Sequence, residues 1–201
     1  PDAAKESTPA TAVLLIGVLD KVGTFGMIRY LLPIFPAASE FYAPLVIAMA
    51  VIGIIYGALV ALGQTDMKRL FAYSSMSHFG FIALGIFVFT TWSMTGSTLY
   101  MLGHGLATAA AFLTAGFLMQ RAGGSSAIAT YGGVNKVAPV LAGFFLFAVM
   151  SAIALPGLAS FVGEFLVLLG TFSRYVVVAV IASALAALAQ VVSRWSGWTR
   201  W

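Results

Sequence analysis

A handful of titratable side chains sit where so apolar a chain should least tolerate them. Asp20 and Lys21 stand side by side in VLDKVGTFG, His78 lies in SSMSHFGF, His104 in MLGHGLATA and Glu164 in FVGEFLVLL. The chemistry open to such a set is proton transfer. A proton crosses an apolar medium only by hopping among groups that hold and release it. A buried lysine serves that purpose when burial and a nearby carboxylate pull its proton affinity in opposite directions. Other chemistries have less to work with. There is no cysteine, which excludes disulfides, thiolate metal sites and iron–sulfur ligation within this chain, and two well-separated histidines are a poor start for a metal centre.

The elements that carry these residues follow from composition. Of 201 residues, 61% are hydrophobic and 8% charged, more apolar surface than a soluble fold of this size can hide. The formal charge of +4 is spread over connecting segments, which suits a membrane orientation signal and not a nucleic-acid surface. A bilayer core of about 30 Å needs about 20 helical residues. Runs of that length are expected at about 11–32, 43–63, 69–90, 96–119, 138–173 and 175–192. The fold class expected is therefore all-α, a polytopic transmembrane helix bundle of about six spans. Pro33, Pro36 and Pro44 bracket the first gap, and GQTDMKR, TWSMTG and RAGGSSAIATYGGVNK make the next three.

The fifth run is too long for one straight crossing and carries Leu155-Pro156-Gly157 at its centre. Proline loses a backbone donor there and glycine relaxes the chain, so a broken helix with a hinge at Pro156 and Gly157 is expected, leaving unpaired backbone groups and room for water. If the run crosses once, Lys5, Lys68, Arg69, Arg121, Lys136, Arg194 and Arg200 share one side, and only Arg29 and Arg174 lie near the other. By the positive-inside rule that side, with Pro1, is cytoplasmic. The opening PDAAKESTPATA lacks the basic-then-apolar order of a secretory signal and reads as a loop within a longer protein.

Asp20 and Lys21 lie about ten residues into the first span, about 15 Å deep at about 1.5 Å per residue. His78, His104 and Glu164 fall at similar depth in other spans. Each charged group would cost roughly 2.5–3.5 kcal/mol facing lipid at a helix centre, so all should turn inward into one polar layer. Two roles fit each histidine: an interhelical hydrogen-bond strut and a proton relay. Lys21 cannot snorkel over that distance and is read as functional. Glu164, seven residues beyond the break, is read likewise. Asp20 does not face Lys21, since adjacent helical residues point apart; it either acts on Lys21 through space or pairs with another helix.

The segments GVLDKVGTFGMIRYLLPIFP, IGIIYGALVALGQTDMKRLFAYSSMSHFGFIALGI, MLGHGLATAAAFLTAG and ALPGLASFVGEFLVLLG resemble subunit M of bacterial NADH-quinone oxidoreductase, respiratory complex I, an antiporter-like proton-pumping family. The resemblance runs from residue 1 to about 180. It implies helices eight to thirteen of a fourteen-helix fold, the C-terminal part of the subunit. It also implies a domain over 1–192 lacking the N-terminal half, and an atypical Trp/Arg-rich tail over 193–201. On that template Lys21 matches the eighth-helix lysine, Glu164 the twelfth-helix glutamate at the exit side, and His78 and His104 the polar residues between. FVGEF, not FVGKF, separates it from the related L and N subunits. Asp20 stands where relatives are apolar. No cofactor is implied in this chain; FMN, iron–sulfur clusters and quinone belong to partner subunits. The expected partners are the L-type and N-type antiporter-like subunits and the lipid of a bacterial inner membrane. The alternatives are a subunit of a cation/proton antiporter or membrane-bound hydrogenase, and a structural scaffold.

Overall fold

A computed structural model describes residues 1–184. The expected tail over 193–201 and the end of the sixth run lie outside the described residues. After a short helix α1 (Asp2–Glu6), the chain forms α2 (Pro9–Ile34), α3 (Pro36–Leu62), α4 (Met67–Phe87) and α5 (Thr91–Arg121). Among the described residues these last four are long and apolar enough to cross a membrane. Two shorter helices follow, α6 (Pro139–Ala152) and α7 (Ala159–Arg174), and residues 176–184 are helical. The polytopic helical bundle expected from composition is therefore observed.

Several boundaries differ from the sequence reading, each for a local reason. Pro33 lies in the last turn of α2, Pro36 in the first turn of α3 and Pro44 inside α3, so the gap shrinks to Phe35. Proline fits a first turn because its missing N–H would have no intrahelical partner there. TWSMTG is not a loop but the start of α5. Thr90 and Ser93 form a reciprocal capping box that nucleates the helix before its apolar stretch, and Phe89 at φ 56° makes the reversal. GQTDMKR likewise gives way to helix at Met67, behind the Asp66 cap on the Arg69 N–H.

The fifth run is broken where the sequence expected, but the break is a built structure. Ala154 adopts a left-handed conformation at φ 54°. The Leu155 N–H donates to the Met150 carbonyl at 3.1 Å and the Ala154 N–H to that of Ser151 at 3.2 Å, a Schellman cap closing α6. A type II turn follows. Pro156 takes its second position, Gly157 at φ 98° its third, and the Leu158 N–H donates to the Leu155 carbonyl at 3.0 Å. These backbone N–H groups are thus partnered, contrary to the expectation of free groups at an unwound hinge.

The two ends of the broken run lie at opposite ends of α4. On one side, the segment after α5 is pinned to the start of α4: Ile128 N–H donates to the Thr65 carbonyl, Met67 N–H to that of Ser126, both at 2.9 Å, and Ser126 Oγ to Asp66. On the other, Arg174 Nη1 donates to the Val88 carbonyl at 3.0 Å and the guanidinium stacks on Phe89 and Tyr175. The run thus makes one crossing. Lys68 and Arg69 do more than mark a boundary, since Lys68 Nζ donates to the Ser7 carbonyl and Arg69 pairs with Asp2, tying down the α1 segment.

Two apolar cores result. One gathers Met67, Phe71, Phe112, Leu118 and Phe145 at the Asp66 end; the other gathers Ile54, Ile82, Ile86, Val88 and Val167 toward the Arg174 end. The positive φ values at the break give a paired test. Gly157→Ala in the full-length protein should destabilise it by about 1–2 kcal/mol, the cost of a side chain in left-handed backbone. Ala154→Gly should be neutral or stabilising. Thermal unfolding followed in detergent checks both.

Candidate functional site

Between the two cores runs a layer of polar side chains near the middle of the helices. Glycine makes it possible. On the antiparallel pair α5 and α7, a Cβ at Gly163 would lie 2.7 Å from the Tyr100 N and Cα, and one at Gly96 2.6 Å from the Val167 N. The two backbones touch there, and interfaces without a hydrophobic driving force use small residues this way. The GHG sequence repeats the device on both sides of His104. Gly103 admits the start of α7, 3.1 Å from a would-be Cβ, and Gly105 admits α2, with the Gly17 carbonyl at 3.0 Å and Lys21 Cε at 3.9 Å. Lys21, His104 and the start of α7 thereby converge.

Tyr100, fully buried, is the centre of the layer. His78 Nδ1 lies 2.5 Å from its hydroxyl, which donates to Glu164 Oε2 at 3.1 Å. With Glu164 ionised, the phenol proton is committed to the carboxylate, so His78 Nδ1 is the donor to the phenol oxygen. Three helices are joined in series: α4, α5 and α7. Glu164 itself is 6% exposed. His104, 1% exposed, stands with its ring centroid 5.0 Å from that of His78 and pairs Nε2 with Thr108 Oγ1 at 3.2 Å. Its Nδ1 has no hydrogen-bond partner among the described residues, nor has Ser160 Oγ at the start of α7. A cavity of about 10 Å³ lined by Ser74, Ser75, His78, His104 and Thr108 adjoins it, about one water in size.

Lys21 is half-buried in α2, on a helix wound wider than α over Val13–Leu19 and again over Met27–Leu31. Its Nζ donates to the Ile16 carbonyl at 2.8 Å, and its charge acts through space on both His78 and His104. Such π-wound turns recur at functional sites because they shift side-chain register against neighbouring helices. No apolar period announces them. Asp20 diverges from the group. It faces a separate cleft of about 230 Å³ with Ile16, Ala72, Met76 and Phe79. It makes no ion pair with Lys21 among the described residues and acts on it through space.

The structure thus brings His78, His104 and Glu164 together with Lys21 alongside, and leaves Asp20 apart. Tyr100 was missed by the sequence reading. Its signal was the four-residue spacing of Tyr100, His104 and Thr108 on one face of α5, hidden because a tyrosine in an apolar run passes for packing. Among the described residues no three His, Cys, Asp or Glu side chains cluster as a metal site would need.

The fold and this layer define a multi-pass α-helical membrane protein with a buried, hydrogen-bonded series of titratable groups. Residues 1–189 match the family described as NADH:quinone oxidoreductase/Mrp antiporter, TM, and the chain belongs to it. It is 62% identical over 195 residues to NADH-quinone oxidoreductase subunit M of Mycobacterium tuberculosis, covering 97% of this chain and 35% of that protein. It is 38% identical to NADH-ubiquinone oxidoreductase chain 4 of Marchantia polymorpha, covering 97% and 39%. Among solved structures, a chain of respiratory complex I from Thermus thermophilus superposes with a TM-score of 0.80 at 35% identity, covering 89% of this chain and 39% of that one. A chain of the Mrp complex from a Dietzia species gives 0.88 at 23% identity, covering 98% and 37%, a likeness of fold. The chain spans about a third of the length of the curated relatives it matches.

The contact at Gly163 is open to test. Gly163→Ala forces a methyl against Tyr100 backbone that cannot yield, and overpacking of this kind costs about 1–3 kcal/mol. The yield of folded full-length protein should fall, while Gly143→Ala, where a Cβ meets nothing within 4 Å, should leave it unchanged.

Proposed function

We propose that this chain is part of an M-type subunit of NADH-quinone oxidoreductase and carries the later half of its transmembrane proton route. The observation that carries the reading is the hydrogen-bonded series His78, Tyr100, Glu164 at mid-membrane depth with Lys21 beside it. The 62% identity to a mycobacterial subunit M supports it. In this reading Lys21 holds a proton at the centre of the bilayer. The His78 and His104 region, with water, passes it laterally, and Glu164 receives it for release. Glu164 at the position where L, N and antiporter relatives resemble one another in carrying lysine favours this reading over a cation/proton antiporter or hydrogenase subunit.

The chain's own residues supply proton binding and positioning. NADH oxidation and quinone reduction, with FMN and iron–sulfur clusters, belong to partner subunits, the L-type and N-type subunits are its membrane neighbours, and the energy arrives electrostatically from quinone reduction elsewhere in the complex. The membrane is the bacterial inner membrane, with the Lys68 and Arg121 end cytoplasmic by the positive-inside rule. The turn at Pro156 and Gly157 serves as the hinge of the broken run that carries Glu164. Asp20 tunes Lys21 through space.

Lys21→Ala and Glu164→Gln in the full-length subunit, compared at equal amounts of assembled complex, should each slow NADH-driven proton uptake into inverted membrane vesicles. The expected loss is roughly tenfold or more, given that positioned proton-transfer groups contribute about 10²–10⁴-fold and water partly substitutes. Wild-type uptake in both variants would make the chain a scaffold.

A further inference from the structure

We propose that Tyr100 is itself a member of the proton route, passing the proton from His78 to Glu164 through its phenol hydroxyl. The proposal rests on the proton-transfer reading above and identifies the group that links two of its stations.

Three other buried hydroxyls of the bundle show what a structural hydroxyl does here. Ser77 donates to the Ile54 carbonyl, Ser97 to that of Ile82 and Thr171 to that of Val167. Each rests on a backbone oxygen, the ordinary way to satisfy an O–H in an apolar helix. Tyr100 does otherwise. Its partners are both titratable side chains, one on α4 and one on α7. A tyrosine that merely needed its hydroxyl satisfied would be served by a single acceptor.

The ring is also held so that the hydroxyl cannot wander. It meets His78 edge-on at 5.8 Å between centroids, with Phe81 at 6.4 Å and His104 at 6.2 Å. Its Cα and Cβ press against Gly163, the residue before Glu164. The same close approach therefore sets the position of donor and acceptor together.

The step balances without any co-reactant. A doubly protonated His78 gives its Nδ1 proton to the Tyr100 oxygen as the phenol gives its own proton to Glu164 Oε2. An N–H and an O–H bond break, and two O–H bonds form. The imidazolium and carboxylate become a neutral imidazole and a carboxylic acid, and the phenol stays neutral throughout. Afterwards the hydroxyl points back at His78. It must turn again toward Glu164 once that carboxyl has released its proton, so one hydroxyl passes one proton per reset. His104, paired with Thr108, is not in this series and lines the small cavity beside His78.

The test uses the full-length subunit in its assembled membrane complex. Tyr100→Phe keeps the ring and removes the hydroxyl, and should cut NADH-driven proton uptake into inverted vesicles roughly tenfold. Site-specific 3-fluorotyrosine at position 100, nearly the same shape but a more acidic phenol, should restore uptake with a rate and a solvent deuterium isotope effect that differ from wild type, because the phenol gives up and regains a proton in the step. A merely structural hydroxyl would move neither. Wild-type uptake by Tyr100→Phe overturns the proposal, as do a fluorotyrosine rate and isotope effect equal to wild type. The second readout stands even if the phenylalanine variant fails to assemble. Lys21→Ala and Glu164→Gln separate the two failures: if they abolish uptake while Tyr100→Phe does not, only the part assigned to Tyr100 falls, and if they too are silent the whole proton route falls.

Discussion

Within hydrocarbon a polar group must find its partner inside the protein or cost several kcal/mol, and that constraint arranges this bundle around Tyr100. One hydroxyl satisfies an imidazole from α4 and a carboxylate from α7 at once. Remove it and Glu164, 6% exposed, would lose the one side-chain hydrogen bond it makes among the described residues. The two apolar cores on either side close the layer off from both faces of the membrane.

Glycine is the means by which helices carrying bulky polar groups come close enough to share them. Gly96, Gly103 and Gly163 let α5 and α7 touch along their backbones, while Gly17 and Gly105 do the same for α2 and α5. The break between α6 and α7 serves the same end by different means. The Schellman cap at Ala154 and the type II turn at Pro156-Gly157 stop α6, shift the chain and start α7 with Ser160 against Gly103, so that Glu164 arrives opposite Tyr100. A straight helix through this run would present the carboxylate elsewhere.

Much of this was legible in the sequence, and the parts that were not have physical reasons. Lys21, His78, His104 and Glu164 announced themselves because charge and imidazole are costly in lipid. Pro156-Gly157 announced the break because that dipeptide has a strong turn preference. Tyr100 did not, since a tyrosine costs little in an apolar helix and its role shows only once His78 and Glu164 are seen on either side. The π-wound turns of α2 carry no compositional mark. The early start of α5 was lost because Ser93, within TWSMTG, looked like a loop residue while acting with Thr90 as a cap. Asp20 was expected not to face Lys21, and the helix turns it to another cleft.

The most direct measurement is high-resolution electron cryo-microscopy of a membrane complex containing the full-length subunit. The account predicts density for the Tyr100 hydroxyl within hydrogen-bonding distance of both His78 and Glu164, with Lys21 packed over Gly105 on the same side. Glu164 and Lys21 pointing into acyl chains, or a Tyr100 hydroxyl bonded to a backbone carbonyl as those of Ser77, Ser97 and Thr171 are, would contradict it.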